Sequence, residues 1–232
     1  MQKVVIGIPS HSGTLNSECV LSLLAAQQLL FMKDIKCEVI ILNGCAYLPV
    51  ARNTLVAMFM KDIDATDLFF IDADVGFDAS AVLKLLGRQE DIVAGIYPLK
   101  KDVEGYPVEI KRVDGVPVGQ DDLVEADFLP TGFMRIKRKV FDAMQEAYPE
   151  LKYKSGIVDV SNSDVKEVYD FFNMGAIGSS AWTTEDFAFC QRWRDVGGQL
   201  WIMPDIDFTH TGNKAFTGNF HQYLLQGGKE IV

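Results

Sequence analysis

Three aspartate pairs with a single intervening residue punctuate the chain: Asp62/Asp64, Asp72/Asp74 and Asp205/Asp207. With 21 aspartates among 232 residues, chance supplies about as many, so the spacing alone carries nothing. Context separates the middle pair. Asp72 and Asp74 directly follow the apolar run Phe69-Phe70-Ile71, with a predicted helix before it and a turn and a helix after it. Two carboxylates at the tip of a buried strand repel each other and lose hydration. A divalent cation offsets both costs, and hard oxygen ligands suit Mg2+ or Mn2+. The plain alternative is a pair of solvated turn residues, with Asp74 capping the next helix. Asp62/Asp64, at a polar helix end, reads as surface.

The elements that must position this pair follow from periodicity. Residues 4–8 are β-branched and bounded by Pro9, which reads as a central strand. Ser17 can cap a helix over 18–33. Further strands are expected at 37–42, 67–71 and 92–96, alternating with helices at 50–62 and 79–86. That alternation predicts an α/β fold with a mainly parallel sheet covered on both faces. Ligands in such sheets sit beyond the carboxyl ends of the strands. The tips are Pro9-Ser10-His11, Asn43-Gly44, Asp72-Ala73-Asp74 and Tyr97-Pro98. Beyond 100 the pattern changes to short antiparallel strands over 100–128, with turns at Glu104-Gly105 and Asp114-Gly115. A helix over 137–148 follows. Thr183 or Thr184 caps another helix reaching about 196, a last strand covers 200–203, and 209–232 reads as an irregular tail. No linker or repeat divides the chain, so residues 1–232 are expected to form a single domain.

Composition bounds the function. Hydrophobic residues make up 48%, too many for disorder, and no apolar run approaches a membrane span. The net charge of −10 argues against binding a nucleic acid polymer, since phosphate contacts need a basic face. A nucleotide ligand stays compatible, because a metal ion supplies positive charge locally. Cys19, Cys37, Cys45 and Cys190 form no CxxC pair and read as free, buried thiols in a reducing compartment. His11, His210 and His221 have no spacing that suits zinc with them.

The order of these landmarks resembles the GT-A fold glycosyltransferases, specifically family-two-like enzymes and their viral and phage relatives. A Pro-terminated first strand, a helix containing Ala51-Arg52-Asn53 and a hydrophobic run ending in Asp72-Ala73-Asp74 are similar to that group. Thr131-Gly132-Phe133-Met134-Arg135-Ile136 resembles its glycine-containing acceptor-side strand, and Thr184-Glu185-Asp186 its acidic motif at a helix start. Gln191-Arg192-Trp193 and His210-Thr211-Gly212-Asn213-Lys214 are compressed versions of two later motifs. The acidic run that commonly follows the second strand is replaced by Asn43-Gly44-Cys45, and with it goes the expected contact to a uracil base.

The resemblance implies a nucleotide-binding, Rossmann-like half joined to a mixed acceptor-side half. It also implies a nucleotide-sugar donor, a glycan or other hydroxyl acceptor, and a Mn2+ or Mg2+ cofactor. The activity would be a metal-dependent, inverting hexosyl- or deoxyhexosyl-transfer by a cytoplasmic enzyme, in the host cytoplasm if the chain is viral. Asp74, Asp72 and His210 would ligate the metal, Asp72 alternatively the ribose. Pro9, Ser10, His11, Asn43, Arg52, Ala73 and Lys214 would line the donor site, with Lys214 and Arg52 toward the diphosphate. Asp186, beside Glu185, would be the catalytic base. Thr131, Gly132 and Trp182 would face the acceptor, although Trp182 fits a core position equally well. Two other classes compete. One is a haloacid-dehalogenase-like phosphatase, which also places Asp-x-Asp after a strand. The other is a non-catalytic nucleotide- or sugar-binding module.

Overall fold

A computed structural model describes residues 2–154, 167–176 and 182–228. The first strand, β1 (Lys3–Ser10), buries Val4, Val5, Ile6 and Ile8 completely or nearly so and runs two residues past the expected end. It pairs in parallel with β2 (Lys36–Asn43) and β3 (Asp67–Ile71). Helix α1 (Ser17–Met32) connects β1 to β2, and helix α2 (Leu48–Lys61) connects β2 to β3. The cap of α1 differs from expectation. Asn16 holds the N-cap position without a side-chain bond, and the Ser17 hydroxyl bonds to Glu18 instead.

After β3 the chain forms β4 (Val75–Phe77), helix α3 (Ser80–Leu86) and β5 (Ile92–Ala94). Asp78, not Asp74, caps α3, its Oδ1 accepting from the Ser80 amide at 2.9 Å. The expected turn at Asp114-Gly115 is present, both residues having positive φ (51° and 80°). It closes a hairpin between Arg112–Val113 and Val116–Pro117. Next come β6 (Leu123–Phe128), β7 (Phe133–Lys137), helix α4 (Arg138–Ala147), helix α5 (Glu185–Asp195) and β8 (Leu200–Ile202). The Thr184 position before α5 is an N-cap, again without a side-chain bond.

The main sheet runs β2-β1-β3-β7-β5-β8-β6, with Glu109–Ile110 beyond and Gly119–Gln120 also on β6. Its first three strands and the β5–β8 pair are parallel, while β7 lies antiparallel to both β3 and β5. The α/β class holds, but β5 is not the neighbour of β3. Local pattern shows that a segment is a buried strand and not which strand it will lie against. The core fills both faces. Leu55, Phe59, Phe141, Phe172 and Phe189 pack on the α2, α4 and α5 side. Cys19, Leu23, Leu30, Val82 and Leu85 pack on the α1 and α3 side. Arg135 is buried within β7 and donates to the carbonyls of Leu85, Arg88 and Glu90, tying the end of α3 to the sheet.

The expected irregular tail is instead ordered through residue 228. Strands β9 (Asp207–Thr211) and β10 (Ala215–Asn219) form a hairpin, and the short helix α6 (Phe220–Leu225) follows. β9 pairs antiparallel with β4, setting Phe208 opposite Phe77 and His210 opposite Val75. Polar and glycine residues break up the apolar alternation here, so pairing with β4 rather than sequence pattern makes the strand. The last expected positions, 229–232, lie outside the described residues.

Candidate active site

At the carboxyl ends of the parallel strands lies an open cleft of about 430 Å³. It gathers Pro9, Ser10 and His11 from the tip of β1 with Asp72, Ala73 and Asp74 from the tip of β3. Ser10 is buried and its hydroxyl donates to the Thr14 carbonyl, which shapes the loop, while His11 is exposed. Asn43 sits beside Ser10 in register at the end of β2, and the Gly44 amide donates to Ser10 O at 3.1 Å. The site is therefore where sheet topology puts it.

Asp74 occupies the open end. Its Oδ2 bonds to Lys100 Nζ, and its Oδ1 lies 3.5 Å from His210 Nε2. The His210 ring is fixed from behind, with Nδ1 2.8 Å from the Pro98 carbonyl. A carbonyl only accepts, so Nδ1 carries the hydrogen and Nε2 is left facing the carboxylate. Either a proton on Nε2 or a cation shared with Asp74 satisfies that arrangement. Burial raises the Asp74 carboxyl, but hydrogen bonds from His210 and Lys100 outweigh it and hold the group down at about 2. Carboxylate plus a back-bonded imidazole is a donor set that fits a divalent metal. Among the described residues no cluster of three His, Cys, Asp or Glu side chains is close enough to hold one.

Asp72 turns the other way. Its Oδ1 accepts from Arg52 Nη2 at 3.0 Å. Arg52 projects from α2 into the interior, only 1% exposed, with its guanidinium 5.2 Å from the centre of the Phe70 ring. Its Nε and Nη1 atoms are buried without a partner. Burial pulls the Arg52 pKa down, yet Asp72, Asp186, Glu185 and Tyr97 outweigh that and keep it raised. Arg52 thus neutralises an inner cluster of acids instead of meeting ligand at the surface.

Asp186 lies near Arg52, half-buried, and is not among the residues that line the cleft. It lies in the first turn of α5, where a carboxylate is favoured by the helix dipole. Its Oδ2 accepts only a long bond, 3.4 Å, from the Thr131 amide. Burial and then the neighbouring Glu185 push its carboxyl up to about 7, against the pull of Arg52. Thr131 is fully buried and its hydroxyl has no partner. Gly132 is required where it stands. A β-carbon there would lie 2.4 Å from the Tyr97 hydroxyl and 2.5 Å from Asp72 Oδ2. The Asp72 amide donates to the Gly132 carbonyl at 2.9 Å, so β7 and the β3 tip are locked together at this point.

The structure brings together Asp72, Asp74, His210, Arg52, Thr131, Gly132, Glu185 and Asp186. It does not bring Lys214, which sits in the β9–β10 turn, bonds Asp102 and lies over the Phe216 ring. Lys100 takes the place expected for it. The readable signal was position: Lys100 follows Tyr97-Pro98, one of the strand tips. Tyr97 is a second residue without an expected role, a buried hydroxyl whose pKa is driven well up by burial and then by Asp72. Trp182 is 73% exposed on the short Gly175–Ala176/Trp182–Thr183 ribbon, so it is not a core residue. Arg192 and Trp193 are buried and structural, donating to the carbonyls of Phe171 and Gln199. Of the thiols, Cys19 and Cys190 are buried, whereas Cys37 and Cys45 are only half-buried; all four are free. No helix among the described residues is long and apolar enough to cross a membrane.

No protein-family model and no curated protein sequence matches the chain. Among solved structures it is similar to A197 from STIV, at 20% identity and a TM-score of 0.52, over 91% of this chain and 86% of that one. That likeness is one of fold. Weaker ones extend to the catalytic domain of Drosophila beta1,4-galactosyltransferase 7, crystallised with xylobiose, and to residues 1–349 of S. aureus TarS. The first has 11% identity and a TM-score of 0.47, over 100% of this chain and 76% of its own. The second has 13% identity and a TM-score of 0.40, over 87% and 58%. A TM-score under 0.5 is too slight to carry an argument about function.

Proposed function

We propose that this chain is a metal-dependent, inverting glycosyltransferase of the GT-A type, moving a sugar from a nucleotide-sugar donor to a hydroxyl acceptor. The observation that carries the reading is geometric: at the carboxyl ends of the parallel strands Asp74 faces a histidine ring pinned by Pro98, and the adjacent Asp72 is tied to buried Arg52, which lies near the acids at the start of α5. Asp74 is held ionised at about 2, and Asp186 is raised to about 7. Opposed tuning of two acids is how one site separates charge stabilisation from proton transfer.

Asp74 and His210 Nε2 would hold Mn2+ or Mg2+, and Asp72, which lines the cleft while bonded to Arg52, would be left for the ribose. Such a cation supplies positive charge to a diphosphate leaving group. Lys100 adds a second positive charge at the same place. Ser10 and His11 border the space for the nucleoside, with Asn43 beside Ser10 at the end of β2. Asp186 accepts the acceptor hydroxyl's proton. As that oxygen bonds to the anomeric carbon, the bond to the diphosphate breaks on the opposite face, so the configuration inverts. Burial and the neighbouring Glu185 raise the Asp186 carboxyl above the ordinary carboxylate range, which makes its ionised form a stronger base toward the acceptor hydroxyl.

Calorimetry with a panel of nucleoside diphosphates, each with Mn2+, tests the donor side. Heat is expected for at least one, and is lost in chelator and in Asp74→Asn. A flat trace for the whole panel would overturn the reading. A screen of nucleotide sugars for metal-dependent release of diphosphate then identifies the donor.

A further inference from the structure

Helix α1 is distinctive for what it lacks. One of its 16 residues, Glu18, is charged. Cys19, Leu23, Ala26 and Leu30 face the sheet and are buried. Around the rest of the circumference Val20, Leu21, Leu24, Phe31 and Met32 are exposed, Phe31 by 83%. An outer helix face ordinarily carries charged and polar residues; here the polar ones are few, with Ser17 and Gln28 exposed and Gln27 half-buried among the apolar side chains. Val20, Leu24 and Phe31 recur at i, i+4 and i+11 and so share one flank. The opposite flank meets β4: the Ser22 hydroxyl accepts from the Phe77 amide, and Glu18 lies against Gly76. The apolar flank therefore turns toward β2.

β2 ends the main sheet, and among the described residues it pairs only with β1. The Lys36 amide donates to Gln2 O on the β1 side. By alternation, Cys37, Val39 and Ile41 turn their amides and carbonyls outward. The side chains of these three lie on the α1 face, in register with Val4, Ile6 and Ile8. Ile41 is 43% exposed. An eight-residue edge strand with no proline or bulge, flanked by an apolar helix, is a template for another strand.

We infer that two copies of this chain join about a two-fold axis at Val39, pairing β2 antiparallel with its counterpart and closing α1 against α1. Self-pairing needs one patch that complements itself, which an edge strand with a helix on one face supplies. The charges exclude one register, and the Val39 register is the one the cross-link below tests. An axis at Glu38 sets two carboxylates face to face, which is destabilising. An axis at Val39 sets Cys37 opposite Ile41 of the second copy and keeps the carboxylates apart. The strip is about 25 Å long and two elements deep. That is roughly 400 Å² in projection, below the roughly 800 Å² per partner of a standard interface, so the dimer is expected to be concentration-dependent. A net charge of −10 disfavours an anionic lipid surface as the covering.

Sedimentation velocity over a hundredfold concentration range tests this. The wild type is expected to move toward twice the 25.8 kDa chain mass as concentration rises. The doubly charged Leu24→Lys/Phe31→Glu variant is expected at the chain mass, with unchanged circular dichroism, since both side chains are exposed. Ile41→Cys probes the register through native Cys37. In a hydrogen-bonded antiparallel pair the Cα atoms lie about 5.5 Å apart, within disulfide reach. Mild oxidation should give a reducible covalent dimer, absent when Cys37→Ser is added. A wild type that stays at the chain mass overturns the inference, including one that instead floats with zwitterionic vesicles. So does a dimer that survives the charge variant or an Ile41→Cys dimer that does not cross-link. None of these readouts depends on nucleotide binding or sugar transfer.

Discussion

In the open cleft, Asp74 is flanked by Lys100 and a histidine whose ring is pinned by Pro98. At the start of α5, Asp186 has a second carboxylate beside it, one long amide bond, and a share of one buried arginine. The residue type is the same, and the surroundings drive the two groups in opposite directions. The lesson is that the neighbours of each acid, not its type, set its protonation, and Arg52 with Asp72 lies between the two settings.

The comparison breaks most visibly at Asp186. Asp186→Asn should cut sugar transfer by about 10²–10⁴-fold, the usual contribution of a general base, while leaving the heat of nucleoside diphosphate binding unchanged. Equal transfer rates would remove Asp186 from the reaction, and binding without transfer in the wild type would favour a binding module. Asp74→Asn should do the converse, weakening Mn2+-dependent diphosphate affinity by about 10–100-fold in calorimetry. Affinity that is unchanged by this substitution would end the idea of a cation on that carboxylate.

Stability against pH sharpens the contrast because the two signs differ. Asp74 has a lowered pKa, so it stabilises the fold above the ordinary carboxylate range, and this is lost as pH falls toward about 2. Asp186 has a raised pKa, so its ionisation costs stability that is absent below about pH 4 and complete above about pH 7. Melting curves of Asp186→Asn should therefore match the wild type in acid and gain on it as pH rises. The gain is on the order of a few kcal/mol above neutral pH, roughly ten degrees or less for a chain of this size. A gap that narrows with rising pH would contradict the assigned sign. The smallest effect belongs to the two lysines. Lys214→Ala, a surface pair, should leave diphosphate affinity within about twofold. Lys100→Ala should weaken it several-fold in the same titration.

Much of the site was readable because it lies at the ends of strands that advertise themselves. Phe69-Phe70-Ile71 is an unbroken apolar run, so its end, and the aspartates there, can be located from local sequence. Thr131-Gly132 and Glu185-Asp186 were likewise legible, the latter as residues suited to a helix start. An arginine near a helix start suits an anion contact, but the burial of Arg52 against Phe70 and Asp72 comes from another element and is not contained in the local sequence. Lys214 and Lys100 exchange roles for a similar reason: the turn of the β9–β10 hairpin carries Lys214 to Asp102. The hairpin itself was hidden because its partner, Val75-Gly76-Phe77, is too short to show a period. The insertion of β7 between β3 and β5 is a long-range pairing choice that no local window contains.

The Pro98 carbonyl and the imidazole it orients are 112 positions apart in the chain. The imidazole reaches Asp74 only when the β9 strand has docked on β4. A polypeptide still emerging from the ribosome, or one cut short before the hairpin, would carry Asp72 and Asp74 in place yet lack the histidine opposite them. The histidine facing Asp74 is thus supplied by a pairing between distant parts of the chain, the docking of β9 on β4.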